Sequence, residues 1–143
     1  MKLKMELKVV LVLAGMGASC LADTFYVATN GVDAVGNGSE SSPFGTIQYA
    51  ADTASPGDTI LVAPGIYDKG GKSNGFGMNR VFIEKRLTIR ATGKKEETHI
   101  VGAHDAGGNE GIGPDAVRCI GVTTNSVNLA DTIIEGFTIR DGP

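Results

Sequence analysis

Residues 55–67 read S-P-G-D-T-I-L-V-A-P-G-I-Y, and this stretch decides the fold. Pro56-Gly57-Asp58 is turn chemistry, because proline presets φ for one turn position and glycine accepts a positive φ in the next. Thr59–Ala63 is a short β-rich run, and Pro64-Gly65 is a second turn that stops it. A strand this short, apolar at Ile60, Leu61 and Val62, is expected inside a parallel sheet, since as an exposed edge it would invite aggregation. Upstream, Ile47, Ala50, Ala51 and Ala54 recur at helical spacing and predict a short amphipathic helix over residues 46–54. The unit is helix, turn, buried strand, turn.

Working outward, residues 25–67 carry Tyr26-Val27, Asn30-Gly31-x-Asp33, Ser42-Pro43-Phe44-x-Thr46-Ile47-Gln48 and Pro56-Gly57-Asp58-Thr59-Ile60. In these pieces the segment resembles the opening of secreted bacterial right-handed parallel β-helix proteins, the pectin and pectate lyase-like superfamily. The resemblance implies an all-β solenoid with a short N-terminal capping helix. It does not fix an activity, because enzymes and non-enzymatic surface proteins share the opening.

The first 22 residues predict export. Lys2, Lys4 and Lys8 precede the apolar run Val9–Ala18, which is too short to cross a bilayer as a helix. Cys20-Leu21-Ala22 places small residues at −3 and −1, so cleavage is expected before Asp23 and the mature chain has no transmembrane span. Acylation of Cys20 would call for an aliphatic residue three positions earlier, where Gly17 stands. Cleavage removes three lysines and one glutamate and takes the net charge from −3 to about −5. An acidic chain of this kind is a poor partner for nucleic acid. It suits an extracellular setting, or calcium, which takes hard oxygen ligands.

Cys119 alone remains after cleavage, so no internal disulfide is expected, and it reads as a small buried hydrophobe. Neither His99 nor His104 has a sequence reason to lie beside it. Residues 24–28 predict a strand, followed by a polar loop in which Asn37-Gly38-Ser39 is formally a glycosylation sequon. Gly71-Lys72-Ser73 matches the end of a phosphate-binding loop, but Ile66 stands where the first glycine belongs and a strand-like Val81-Phe82-Ile83 follows instead of a helix.

From Val81 onward the pattern repeats. Leu87-Thr88-Ile89-Arg90 recurs as Phe137-Thr138-Ile139-Arg140, and Thr98-x-Ile100-x-Gly102 as Thr132-x-Ile134-x-Gly136, with Val117-Arg118-Cys119-Ile120 between. Short strands separated by Gly/Asn/Asp turns read as solenoid coils. The expected inward positions are Leu87, Ile89, Val117, Cys119, Phe137 and Ile139. An all-β sandwich would prefer even spacing and two-residue hairpins, which the Gly-rich loops at 68–79 and 102–115 fit poorly. Asp141-Gly142-Pro143 follows a strand with no cap, so the expectation is the N-terminal fragment of a longer β-helix, with residues 23–143 forming its cap and first coils.

The resemblance implies polysaccharide lyase chemistry as one option, in which Arg or Lys abstracts a proton α to a uronate carboxylate and calcium neutralises that carboxylate. No stretch here matches such a catalytic motif, so no catalytic residue is assigned. The candidate ligand-binding residues are Arg90, Arg118 and Arg140, expected as one outward stripe facing an acidic extracellular polysaccharide. Glu84 or Glu135 alongside could offset it. The candidate calcium ligands are Asp33 in the first loop and Asp105, Glu110 and Asp115 in the loop at 104–115. Two function classes stand: a carbohydrate-active enzyme or binding module, and a structural or adhesive surface solenoid.

Overall fold

The computed structural model describes residues 21–107, 113–123 and 131–143. In chain order the elements are β1 (Thr24–Val27), α1 (Ile47–Thr53), β2 (Thr59–Val62), β3 (Gly65–Tyr67), β4 (Lys72–Ser73) and β5 (Met78–Ile83). There follow β6 (Thr88–Ala91), a 3-10 turn (Lys95–Glu97), β7 (Thr98–Val101), β8 (Val117–Val122), β9 (Ile133–Glu135) and β10 (Thr138–Arg140). The strands make three sheets, ordered β1-β2-β6-β9, β10-β7-β3 and β4-β5-β8. Every strand pairing between them is parallel except the small β4–β5 hairpin. From β2 the chain visits the first, second and third sheets in that order, repeats the circuit from β6, and enters the first two again with β9 and β10.

In-register parallel pairing turns identical side-chain chemistry into columns. On the inner face of the first sheet Phe25, Ile60, Ile89 and Ile134 are consecutive register partners, and Ile60 and Ile89 are wholly buried. Val27, Val62 and Ala91 form the neighbouring column. Branched side chains at these positions fit a pleated surface closed on one side. Leu61, expected inside with its neighbours, is only half-buried and shares a column with Tyr26 and Arg90. A strand alternates faces with period two, so three consecutive apolar residues cannot all point inward.

Asp58 explains the P-G-D turn. Its carboxylate is buried and accepts from the backbone N–H of Ser55 at 2.7 Å and of Asp23 at 2.9 Å. Gly57 supplies the positive φ of 101°. The turn thus ties the end of the helical segment to the start of β1.

Helix α1 buries the predicted stripe, Ile47, Ala50, Ala51 and the C-capping Ala54. Thr46 is the N-cap, its side chain accepting from the Tyr49 N–H. The helix packs on β5, β1 and β2. Gln48, buried beside the apolar stripe, makes the contact that matters most: its Oε1 accepts from the Phe82 N–H at 2.6 Å and its Nε2 donates to the Phe82 carbonyl at 3.3 Å. One side-chain amide stands in for a strand partner along β5.

Tyr67 closes the inner side of the second sheet, with its hydroxyl donating to the Ala63 carbonyl at 2.7 Å; burial pushes its phenol up to about 12. A repeated tie joins the second and third sheets. Arg80 on β5 donates through Nε to the Val101 carbonyl at 2.8 Å, and Cys119 on β8 donates through Sγ to the Arg140 carbonyl at 3.2 Å. Arg80 and Cys119 lie between flanking register pairs of β5 and β8, and Val101 and Arg140 are themselves partners. Arg80 also donates to the Gly70 carbonyl, and burial lowers its guanidinium pKa.

The repeat alignment expected from the sequence is displaced. Thr88 of L-T-I-R pairs with Ile133, and Thr138 of F-T-I-R pairs with His99, so the two motifs lie in different sheets. The T-x-I-x-G motifs are likewise divided, Ile100 in β7 and Ile134 in β9. Alternation fixes which face a side chain takes; it carries no information about which of three sheets a short strand joins. Leu87, Ile89 and Cys119 are buried as expected, Val117 and Phe137 are half-buried, and Ile139 is 55% exposed on the edge strand β10.

Candidate functional site

The outer face of the first sheet is where the strand register gathers chemistry on a surface. The outward column runs Tyr26, Leu61, Arg90, Glu135 across β1, β2, β6 and β9, at the roughly 4.8 Å spacing of adjacent strands. Arg90 and Glu135 form an ion pair, both half-exposed. At the other end of the column Tyr26 and Leu61 line a groove of about 230 Å³ with Glu40, Pro43, Ala63 and Thr92. Thr92 is fixed by its backbone N–H and hydroxyl, which both donate to the Val62 carbonyl. Glu40 is exposed, and among the described residues its carboxylate has no partner. An aromatic ring, an aliphatic floor and one free carboxylate make an amphipathic surface that can take the apolar face of a ring while accepting hydrogen bonds from its hydroxyls.

The expected arginine stripe does not form. Arg90 lies on the first sheet, Arg118 on the third and Arg140 on the second. Two of the three have carboxylate partners within the chain, Arg90 with Glu135 and Arg140 with Asp141. Arg118 is exposed and packs against Gly77. Glu84 stands apart from all three, in a surface cluster with Lys72 and Asp52; the hydrogen bonds that the Lys72 ammonium donates to Glu84 first and Asp52 second raise its pKa.

The expected calcium ligands are divided, with Asp33 in the first loop and Asp105 beside Asp115 in another. Asp33 accepts from the Gly45 N–H at 2.8 Å, the Thr46 N–H at 3.0 Å and the Thr46 hydroxyl at 2.8 Å, so it fastens the first loop to the start of α1. Asp105 is buried and accepts from the N–H groups of Gly107 and Asp115, while the Asp115 side chain is exposed. Glu110 lies outside the described residues, as do residues 1–20, including Cys20. Among the described residues no group of three His, Cys, Asp or Glu side chains converges on one point.

Sequence reasoning missed Glu40, whose loop gives no signal, and Gln48, for which a signal existed: a polar residue beside the apolar stripe of a short helix. Tyr26 was not singled out either, although alternation along T-F-Y-V puts it on the face opposite Phe25 and Val27.

The fold and groove define a β-rich protein of parallel sheets with one short helix and a surface groove on its first sheet. The chain belongs to the family described as protein of unknown function DUF1565, which matches residues 29–142. No curated protein and no solved structure matches it.

Proposed function

We propose that this is an exported right-handed parallel β-helix protein that binds an extracellular polysaccharide along the outer face of its first sheet. The cyclic order in which the chain visits its three sheets supports the solenoid reading. The observation that carries the binding reading is the Tyr26–Leu61 platform with the free Glu40 carboxylate in one groove. Sugar rings present an apolar face and a hydroxyl rim, and a half-buried tyrosine over an aliphatic floor matches both.

The test is affinity electrophoresis of the secreted protein in gels containing polygalacturonate, a neutral glucan or an amino-sugar polymer. Retardation is expected in at least one, and Tyr26→Ala should weaken it by about tenfold, the worth of one ring's buried surface. Unretarded migration in all three gels sinks the binding reading. It would favour the second one, a structural surface solenoid, which is supported by Arg90 and Arg140 having their charges matched within the chain.

A further inference from the structure

Asp23 is the first residue that the fold holds. Its carbonyl accepts from the Thr59 N–H at 2.9 Å, and its own nitrogen lies 2.9 Å from Asp58 Oδ1. Leu21 and Ala22, immediately before it, are exposed, and Leu21 is 80% accessible. Asp58 is a buried carboxylate, 3% exposed, whose other oxygen takes the Ser55 N–H. Among the described residues it has no cationic side chain within ion-pair distance. A buried carboxylate held only by neutral donors is costly unless a positive charge joins it.

We propose that the Ala22–Asp23 bond is a processing site and that its hydrolysis creates the missing charge, an α-ammonium group on Asp23 that pairs with Asp58. Water supplies the hydroxyl to the Ala22 carbonyl carbon and a hydrogen to the departing Asp23 nitrogen. That amine takes a second proton from solvent, because its ordinary pKa is about 8. The nitrogen is already at hydrogen-bond distance from Oδ1, so a neutral amide donor is replaced by a charged one with no movement of the chain. The accessible residues before Asp23 and the held residues from Asp23 onward put the scissile bond at the boundary of the fold. Removal of the leader therefore completes the turn around which the first sheet starts.

This inference rests on export with cleavage before Asp23, and the two are tested separately. N-terminal sequencing of the secreted protein should give Asp-Thr-Phe, and any other start overturns the processing site. The purified mature protein is then treated with limiting acetylating reagent, and acetylation of the α-amine is followed by peptide mass spectrometry with the lysines as internal reference. Pairing with Asp58 should slow acetylation of the native α-amine by roughly tenfold relative to Asp58→Asn, since one unit of raised pKa removes that much free amine. If Asp58→Asn does not fold, the comparison is native against urea-unfolded wild-type protein. Protection in the native state supports the pair; equal reactivity overturns it.

Discussion

Gln48→Leu is expected to lower the stability of the protein by about 3 kcal/mol, because both backbone groups of Phe82 lose their partner and each buried unpaired group costs about 1–3 kcal/mol. The substitution keeps side-chain bulk and leaves the helix propensity nearly unchanged, so the loss reports the amide itself. Gln48→Glu is not expected to rescue it. A carboxylate would still accept from the Phe82 N–H, but it would face the Phe82 carbonyl and Asp52 Oδ1, which lies 3.1 Å from Nε2 in the native protein. Urea denaturation of the three proteins decides the matter. A Gln48→Leu loss below about 1 kcal/mol would mean that water reaches Phe82 and that the helix covers β5 without pairing to it.

The second large effect concerns self-association. Strands β8, β9 and β10 each lie at one edge of a sheet, and they present Val122 at 48%, Ile133 at 42% and Ile139 at 55% exposure. Open edges with apolar side chains are templates for further strands. Residues 23–143 produced alone are therefore expected to be oligomeric at micromolar concentration. Ile133→Lys with Ile139→Lys should shift them towards monomer, since charge on an edge strand blocks pairing. Sedimentation velocity reads both states, and a monodisperse wild-type monomer would show that these edges are not adhesive.

Much of the architecture was legible because its determinants are local. The apolar stripe of Ile47, Ala50, Ala51 and Ala54 and the breaks at Pro56-Gly57 and Pro64-Gly65 act within a few residues, and each element appears where the pattern put it. Strand partnership was not legible. Thr88 and Thr138 have nearly the same neighbours in sequence, yet one pairs with Ile133 and the other with His99, because the lengths of the intervening corners decide the sheet. That displacement dissolved the arginine stripe. Asp33 illustrates a second limit: a loop carboxylate looks the same in sequence whether it faces a cation or, as here, three donors of its own chain.

The register of the first sheet also sets how the chain is assembled in time. Phe25 meets Ile60, Ile60 meets Ile89 and Ile89 meets Ile134, so each strand's template was synthesised before it. A chain synthesised N-terminus first can add each strand to an edge that already exists, without waiting for distant sequence. Loop closure is then a series of short steps instead of one long search, which lowers the entropic barrier at each addition. On the upstream side α1 lies against β5 and its Gln48 amide occupies Phe82, so that flank of the strand already has its partner.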